Sequence, residues 1–343
     1  MSERPAWFPE SVWEAKQVVL FVVDGLGWEQ VLRYKDSLKT ISTGQGTKIT
    51  SVAPTTTAVA LTSLTTGFSP TIHGLMGYRL SVGTDEVLNV LHWRINGKDA
   101  RSTLPPYSFQ PIPAFRGSKV PVVVKSGFPS SGFTSAHLQG AVFHTWQMPS
   151  VIGVEVSELL SKGETFIYVY YDGIDKVAHE WGLDSHYKAE LKACDGIVEE
   201  LIERLPKGCA LVLTSDHGQV QVDQPVIVPD SNIMDMVSFI SGEGRFRWLH
   251  ANQGAQKQLL EYTTDLFSDV AWVMSRDELV QSEWFGKQAS KQFVERLGDV
   301  ALVSHEPVAF MDPGDIREMQ LLARHGSLTA AEMWVPLLSW FAE

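Results

Sequence analysis

The sequence predicts an α/β fold in which a doubly wound, mostly parallel central sheet carries helices on both faces. Short runs of β-branched residues alternate with stretches whose apolar residues recur at helical spacing, a pattern typical of strand–helix–strand units. The run VVLFVV at residues 18–23 is apolar throughout, as a strand buried on both faces of a parallel sheet must be. Asp24 and Gly25 end this run, and residues 26–34 suit a helix.

The alternation continues along the chain. A strand predicted at residues 48–52 leads through Pro54 and three threonines into a helix at 58–64, where hydroxyl side chains can cap the helix. We expect further strands at 121–124, 166–171, 209–213 and 270–274, and helices at 151–160 and 187–205. Residues 68–118 and 219–314 break the rhythm. We expect them to be insertions or caps at the carboxyl edge of the sheet, within one catalytic domain over residues 15–343.

Charge and composition exclude several classes of protein. The 343-residue chain has 28 Lys and Arg against 40 Asp and Glu, a formal net charge of -12, so we expect neither a nucleic-acid polymer nor an anionic membrane as partner. The first residues do not resemble a secretory signal, and no apolar run approaches the roughly 18 residues of a membrane span. Cys194 and Cys209 suit buried reduced thiols, so the sequence predicts a cytoplasmic protein.

Two polar positions follow predicted strands in the first quarter of the chain. Asp24 would be costly to bury without a counter-charge, which a metal could supply, although it could also cap the turn at Gly25. The segment PTTTAVA at residues 54–60 carries no charge, and a hydroxyl at a helix N-terminus can meet both the helix dipole and a bound phosphate. Capping of the helix alone would explain one of the three threonines. Local physics does not decide which of them would be a nucleophile.

Three histidines and two further aspartates complete the candidate set. Asp175 and His179 are four residues apart, able to face one way on a helix after the strand at 166–171, or to form a surface pair. Asp216 and His217 are adjacent at the end of the strand at 209–213. His325 precedes a glycine and, taken alone, suits a structural role.

Taken together, these side chains have a chemistry that none of them has singly. Three Asp, three His and one hydroxyl at the ends of successive strand units supply enough donors for two zinc-like ions. Two such ions about 4 Å apart can clamp an in-line phosphoryl displacement. The sequence therefore predicts a two-metal phosphoryl-transfer site with two divalent ions, zinc being preferred, and a small phosphate ester or nucleotide as substrate.

In order and spacing these motifs resemble the alkaline phosphatase superfamily, and within it the type I phosphodiesterase/nucleotide pyrophosphatase branch. The resemblance rests on VVDG at 22–25, PTTTAVALTSLTTG at 54–67 followed by HG at 73, DGIDKVAH at 172–179, SDHG at 215–218 and HG at 325. It covers residues 17–328.

The resemblance implies a role for each residue. Thr57 would be the nucleophile that forms a phosphothreonine, and Tyr170 would line the substrate pocket. One metal would be held by Asp24, Thr57, Asp216 and His217. The other would be held by Asp175, His179 and His325.

One position departs from the branch. The asparagine usual three residues after the nucleophile is Ala60 here, and loss of such an oxyanion contact can cost on the order of 3 kcal/mol. Arg79 could replace it, which would favour a dianionic monoester or a phosphonate, or it could be a solvated loop charge.

The leading hypothesis is a hydrolase of phosphodiester or nucleotide pyrophosphate bonds. A phosphomonoesterase or phosphonate hydrolase on the same site is the alternative, and a non-catalytic metal-binding module is a third. A sulfatase is disfavoured because that branch needs a cysteine or serine where Thr57 stands, and a phosphomutase because its long intervening domain is not evident.

Overall fold

The structure is a computed structural model that describes residues 4–83, 85–223, 226–315 and 320–343. In chain order, the strands of these residues are β1 (Gln17–Val23), β2 (Gln45–Thr50), β3 (Arg79–Ser81), β4 (Val87–Asn89), β5 (Arg94–Ile95), β6 (Lys98–Asp99), β7 (Pro121–Lys125), β8 (Val142–Trp146), β9 (Phe166–Tyr171), β10 (Cys209–Thr214), β11 (Val220–Gln221), β12 (Val237–Glu243), β13 (Phe246–Ala251), β14 (Ala271–Ser275), β15 (Val300–Ser304), β16 (Ala323–Arg324) and β17 (Trp334–Phe341).

Helices separate most of these strands. They are α1 (Trp28–Arg33), α2 (Thr57–Thr66), α3 (Pro70–His73), α4 (Pro106–Phe109), α5 (Gly132–His137), α6 (Ile152–Ser161), α7 (Gly173–Trp181), α8 (Ser185–Glu203), α9 (Ser231–Met236), α10 (Gln256–Phe267), α11 (Arg276–Gln281), α12 (Lys291–Arg296) and α13 (Ala330–Met333). Among the described helices, none combines the length and the apolar character that crossing a bilayer requires.

A seven-stranded sheet forms the centre of the molecule, in the order β2-β17-β10-β1-β9-β7-β8. The five strands from β10 to β8 are parallel, and β17 and β2 add an antiparallel edge. The predicted doubly wound, mostly parallel sheet is therefore confirmed. Because parallel strands end at the same edge, the residues that follow β1, β9 and β10 meet there.

The strand β1 separates two hydrophobic layers. Val19, Phe21 and Val23 point into a layer shared with α1, α6, α7 and α8, while Val22 points into a second layer with α2 and α5. All four valine and phenylalanine side chains are fully buried. A strand covered on both faces needs this continuous apolar sequence, which explains why the run at residues 18–23 is apolar throughout.

Two smaller sheets lie within the stretches where the strand–helix rhythm breaks. β3 to β6 form an antiparallel sheet inside residues 68–118, and β12, β13, β15 and β14 form another inside residues 219–314. The strand predicted at residues 270–274 is β14 of the second small sheet, displaced by one residue. We call the β12-β13-β15-β14 sheet the cap sheet.

Candidate active site

The seven predicted metal-site residues come from five separate segments and meet at the carboxyl edge of the central sheet. Asp24 directly follows β1, and Asp216 and His217 follow β10. The helix α7, which begins two residues after β9, carries both Asp175 and His179. The remaining two are Thr57, the first residue of α2, and His325, which follows β16.

Asp24, Asp216 and His217 form the first group of possible metal ligands, with one ligand atom of each within 4.8 Å of the others. His217 Nε2 lies 3.3 Å from Asp24 Oδ1 and 3.5 Å from Asp216 Oδ2. Thr57 Oγ1 lies 3.3 Å from the same nitrogen. All four side chains are buried, so this is an interior site beside the predicted nucleophile.

The two carboxylates each leave one buried oxygen unsatisfied. Tyr170 donates its phenolic hydrogen to Asp24 Oδ2, and the backbone N–H groups of Gly25 and His217 donate to Asp216 Oδ1 at 3.1 and 3.0 Å. Asp24 Oδ1 and Asp216 Oδ2 have no hydrogen-bond partner within the described part of the chain. Burial, together with the Asp216 and Asp175 carboxylates, raises the pKa of Asp24 well above its ordinary value. A divalent cation between these oxygens would offset that cost, so the donor set fits a metal.

The three histidines are oriented alike. Each turns its Nδ1 toward a backbone carbonyl, which can only accept, so Nδ1 carries the hydrogen and Nε2 keeps the lone pair that a metal requires. The contacts are His179 to the Ala323 carbonyl at 2.7 Å, His217 to the Gly218 carbonyl at 3.1 Å, and His325 to the Thr55 carbonyl at 2.8 Å.

A second group of possible ligands adjoins the first and shares His217 with it. Asp175, His217 and His325 place one ligand atom each within 4.8 Å of one another. The rings of His217 and His325 stack with centroids 3.6 Å apart at 13°. Burial, reinforced by the neighbouring His217 and His179, lowers the pKa of His325 well below its ordinary value, which keeps this imidazole neutral.

The grouping differs in two respects from that implied by the resemblance. His217 belongs geometrically to both groups, whereas it was expected in only one. His179 stands outside the second group, but its Nε2 lies 3.3 Å from Asp175 Oδ1. Gln219, which the sequence did not single out, donates to Asp175 Oδ1 at 2.6 Å. No spacing pattern would have identified this residue, since an amide at a strand exit is common.

A largely apolar cavity of about 560 Å³ opens beside Thr57 and Asp24. Tyr170 lines it, and the ring of Phe128 lies 5.8 Å from that of Tyr170. Further apolar and aromatic lining comes from Leu61, Leu91, Val124, Phe133, Leu138 and Tyr168. This cavity can accept a flat, uncharged group attached to a phosphoryl group held near Thr57.

Two lysines lie at one side of this apolar cavity. Lys125 Nζ and Lys176 Nζ approach Asp172 Oδ2 at 3.4 and 2.9 Å. Asp172 is buried, and all three residues line the cavity. Two cations share one carboxylate, so the group carries a net positive charge. Sequence reasoning missed it, because Lys125 and Lys176 come from different strand units.

A smaller cavity of about 260 Å³ lies on the other side of Thr57. His179, His325 and Glu243 line it, and Glu243 brings the end of β12 of the cap sheet to the site. Arg79 lines neither cavity beside Thr57. Its guanidinium lies 2.7 Å from Asp312 Oδ2, next to a separate cavity of about 870 Å³.

A doubly wound sheet with paired clusters of Asp and His at its carboxyl edge is the arrangement expected of a hydrolase of the alkaline phosphatase superfamily. The family model for type I phosphodiesterase / nucleotide pyrophosphatase matches residues 18–328. The chain therefore belongs to this family of metal-dependent hydrolases, as its motifs predicted. No curated protein sequence matches the chain.

Solved structures support the same fold. Murine ectonucleotide pyrophosphatase/phosphodiesterase 5, in an inactive threonine-to-alanine form in complex with AMP, is 15% identical at a TM-score of 0.69, with 94% of this chain and 87% of that chain covered. Phosphonoacetate hydrolase from Sinorhizobium meliloti 1021, in complex with phosphonoacetate, is 16% identical at a TM-score of 0.69, with 96% and 91% covered. At these identities the likeness establishes the fold alone.

Proposed function

We propose that this chain hydrolyses phosphodiester or nucleotide pyrophosphate bonds through a phosphothreonine formed at Thr57. The proposal depends chiefly on one observation, the unsatisfied buried oxygens of Asp24 and Asp216 beside the Thr57 hydroxyl. One zinc ion would be held by Asp24, Thr57, Asp216 and His217, and a second by Asp175, His179 and His325. When bound, such ions polarise phosphoryl oxygens and neutralise the charge of the phosphoryl group.

Thr57 would be the attacking group. It is the first residue of α2, where free backbone N–H groups and the positive end of the helix dipole favour an alkoxide and a bound phosphate. Its Oγ1 would form a bond to phosphorus while the bond from phosphorus to the leaving oxygen breaks. The threonine proton passes to solvent and the leaving oxygen gains one. Water then cleaves the phosphothreonine and regenerates Thr57.

The aromatic cavity beside Thr57 would hold the leaving or retained organic group. Phe128 and Tyr170 offer ring faces and edges on which a nucleobase or an aryl group can pack. The murine relative binds AMP, and its inactive form lacks one threonine, which supports a nucleotide substrate and a threonine nucleophile here.

The two irregular stretches would act as caps of one catalytic domain over residues 15–343. Leu91 and His92, from residues 68–118, line both cavities beside Thr57. Glu243 and Gly244, from residues 219–314, line the smaller one. Because these stretches carry few motifs, the sequence is least informative where the organic part of the substrate would bind.

Substrate and metal dependence test the proposal together. Purified chain should cleave bis(4-nitrophenyl) phosphate faster than 4-nitrophenyl phosphate. Chelator should abolish this turnover, and zinc should restore it. Turnover that persists after complete metal removal would contradict the proposal.

Trapping of the intermediate tests the role of Thr57. Brief incubation with substrate followed by acid quenching should place one phosphoryl group on Thr57, detected by peptide mass spectrometry. Zinc bound at two equivalents without any phosphorylation or turnover would favour a metal-binding module without catalysis.

A phosphonate hydrolase on the same site is the second candidate, favoured by the net positive charge of Lys125, Lys176 and Asp172. A small phosphonate with a carboxylate could place its phosphoryl group at Thr57 and its carboxylate near these lysines. The structurally similar bacterial enzyme binds phosphonoacetate, and Ala60 removes the amide usual in diesterases. Arg79 is a weaker candidate for this role, since its ion pair with Asp312 would compete with a substrate.

Release of inorganic phosphate from phosphonoacetate decides between the two candidates. If kcat/KM for phosphonoacetate exceeds that for bis(4-nitrophenyl) phosphate, the phosphonate hydrolase is the better description. Phosphodiester turnover without phosphonoacetate turnover would reject it.

A further inference from the structure

A buried ion pair connects the cap sheet with the predicted metal-ligand loops. Arg245 lies in the turn between β12 and β13, and Glu332 lies on α13; both side chains are fully buried. Arg245 Nε and Nη2 donate to Glu332 Oε1 and Oε2 at 2.7 and 2.9 Å, a bidentate pair. The other N–H groups of Arg245 donate to the backbone carbonyls of Ser304, Glu306 and Val308, so all five are used.

Glu332 makes further contacts on the side of the active site. Its Oε1 accepts from the backbone N–H of Ser327 at 2.9 Å, two residues after His325. Its backbone carbonyl accepts from the N–H of Gly218 at 2.8 Å, directly after His217. One residue therefore holds the two loops whose histidine rings stack on each other.

Thr55 continues the network toward the nucleophile. Its hydroxyl donates to the Ser327 carbonyl at 2.6 Å and accepts from the Gly326 N–H at 3.1 Å. Its own carbonyl accepts from His325 Nδ1 at 2.8 Å, two residues before Thr57. The hydrogen bonds thus run from Glu332 through Ser327 and Thr55 to His325.

We propose that Glu332, oriented and neutralised by Arg245, is a positioning residue that holds His325 and His217 at the separation that metal binding requires. The inference rests on the proposed metal site, but it concerns residues that touch neither metal nor substrate. Hydrogen-bond partners of ligands typically change metal affinity by about 10- to 100-fold when removed. A pair that serves folding alone would leave the metal affinity unchanged in any variant that folds.

A matched pair of double variants separates the two roles. In the background Arg245→Met, Glu332→Gln keeps an oxygen that can accept from Ser327, whereas Glu332→Leu does not. Neither double variant leaves an uncompensated buried charge, so we expect both to fold. Thr55→Val is a third variant, which removes the next link in the network. The control is Arg276→Met, which breaks the Arg276–Asp299 pair of the cap sheet away from the ligand loops.

Zinc affinity is measured on metal-free protein by competition with a chromophoric chelator, alongside thermal unfolding without zinc. We expect zinc to bind Arg245→Met/Glu332→Leu about tenfold more weakly than Arg245→Met/Glu332→Gln, Thr55→Val to show a similar loss, and Arg276→Met to bind zinc as the wild type does. Equal zinc affinities in the two double variants would overturn the inference while leaving the metal site intact. A wild-type chain that binds no zinc would contradict both the proposed function and the inference.

Discussion

The phenol of Tyr170 donates its hydrogen to Asp24 Oδ2, on the side of the carboxylate away from His217. Tyr170 and Val22 are register partners on β9 and β1, so the sheet itself sets this contact. The tyrosine expected to line the substrate pocket therefore also contacts a predicted metal ligand. Its ring faces the cavity, and its hydroxyl orients the carboxylate.

Tyr170→Phe should separate these two contributions. The ring remains, so KM for an aryl phosphodiester should change little, whereas loss of the hydrogen bond to Asp24 should weaken zinc binding by about tenfold or more. Zinc titration and steady-state kinetics measure the two effects. Tyr168→Phe is the matched control, because the Tyr168 hydroxyl has no hydrogen-bond partner among the described residues. Equal zinc affinities in the two variants would argue against the assigned role.

Replacement of Thr57 should remove turnover without removing metal. Thr57→Ala should lower kcat by about a thousandfold or more, because no other described hydroxyl is at hydrogen-bond distance from His217 Nε2. Thr57→Ser should retain part of the activity and still accept a phosphoryl group. Zinc stoichiometry by elemental analysis should stay close to that of the wild type, because Asp24, Asp216 and His217 remain to hold the ion. Substantial turnover by Thr57→Ala would exclude Thr57 as the nucleophile.

Phe128→Ala should weaken recognition of an aryl group. Phe128 packs near Tyr170 in the apolar cavity, and loss of one aromatic contact should raise KM for bis(4-nitrophenyl) phosphate by about tenfold. Steady-state kinetics with that substrate give the measurement. Phe68→Ala, at an exposed phenylalanine outside the cavity, should leave KM unchanged.

Lys125→Met and Lys176→Met should affect only substrates whose organic group is itself anionic. If phosphonoacetate is a substrate, each substitution should raise its KM by about tenfold, a modest figure because both side chains are partly solvated. The kinetics of bis(4-nitrophenyl) phosphate, whose aryl groups are uncharged, should be unaffected. Lys188→Met, which removes an exposed lysine paired with Asp184 on α8, is the control. A similar loss for both substrates would indicate a general defect of the site.

The buried His73 should make stability depend on pH. It donates from Nε2 to Ser63 and accepts the Leu75 N–H at Nδ1, and burial lowers its pKa to about 3. Below about pH 6.5 the unfolded chain binds a proton at His73, whereas the folded chain does not bind one there until the pH approaches about 3. The free energy of unfolding therefore decreases as the pH falls. In His73→Gln, the slope of unfolding free energy against pH between about 6 and 4 should decrease by about 1.4 kcal/mol per pH unit.

Denaturant unfolding in the presence of chelator provides this slope without contributions from metal binding. His92→Gln, at an exposed histidine, serves for comparison. An unchanged slope in His73→Gln would show that the pKa of His73 is the same in the folded and the unfolded chain, which would contradict the prediction.

The sequence predicted the central strands well because their surroundings are uniform. Residues 166–171 were predicted with the bounds of β9, since a strand covered on both faces carries a continuous apolar signal. β17 was missed: it is antiparallel, and Pro336 within it weakens a strand pattern. β2 lies at residues 45–50 rather than 48–52, because this edge strand is mostly exposed and its sequence does not alternate.

Within the candidate site, sequence reasoning identified the residues that carry unusual chemistry and missed those that orient them. Asp216 and His217 stand out as an adjacent pair after a strand. Glu332 does not, because its proposed role arises from its contacts with Arg245, which is far from it along the chain, and with the backbone N–H of Ser327. Such convergence depends on tertiary packing, which no local pattern encodes.

The parallel pairing of β1 with β10 places Gln17 beside Cys209, and the five segments of the site span most of the chain. Closing contacts over such separations is slow, because the entropy of the intervening chain must be lost before the contacts form. The seven side chains can therefore meet only after the sheet has assembled. Zinc added during refolding should act on a late step, and its capture would report the completion of the whole domain.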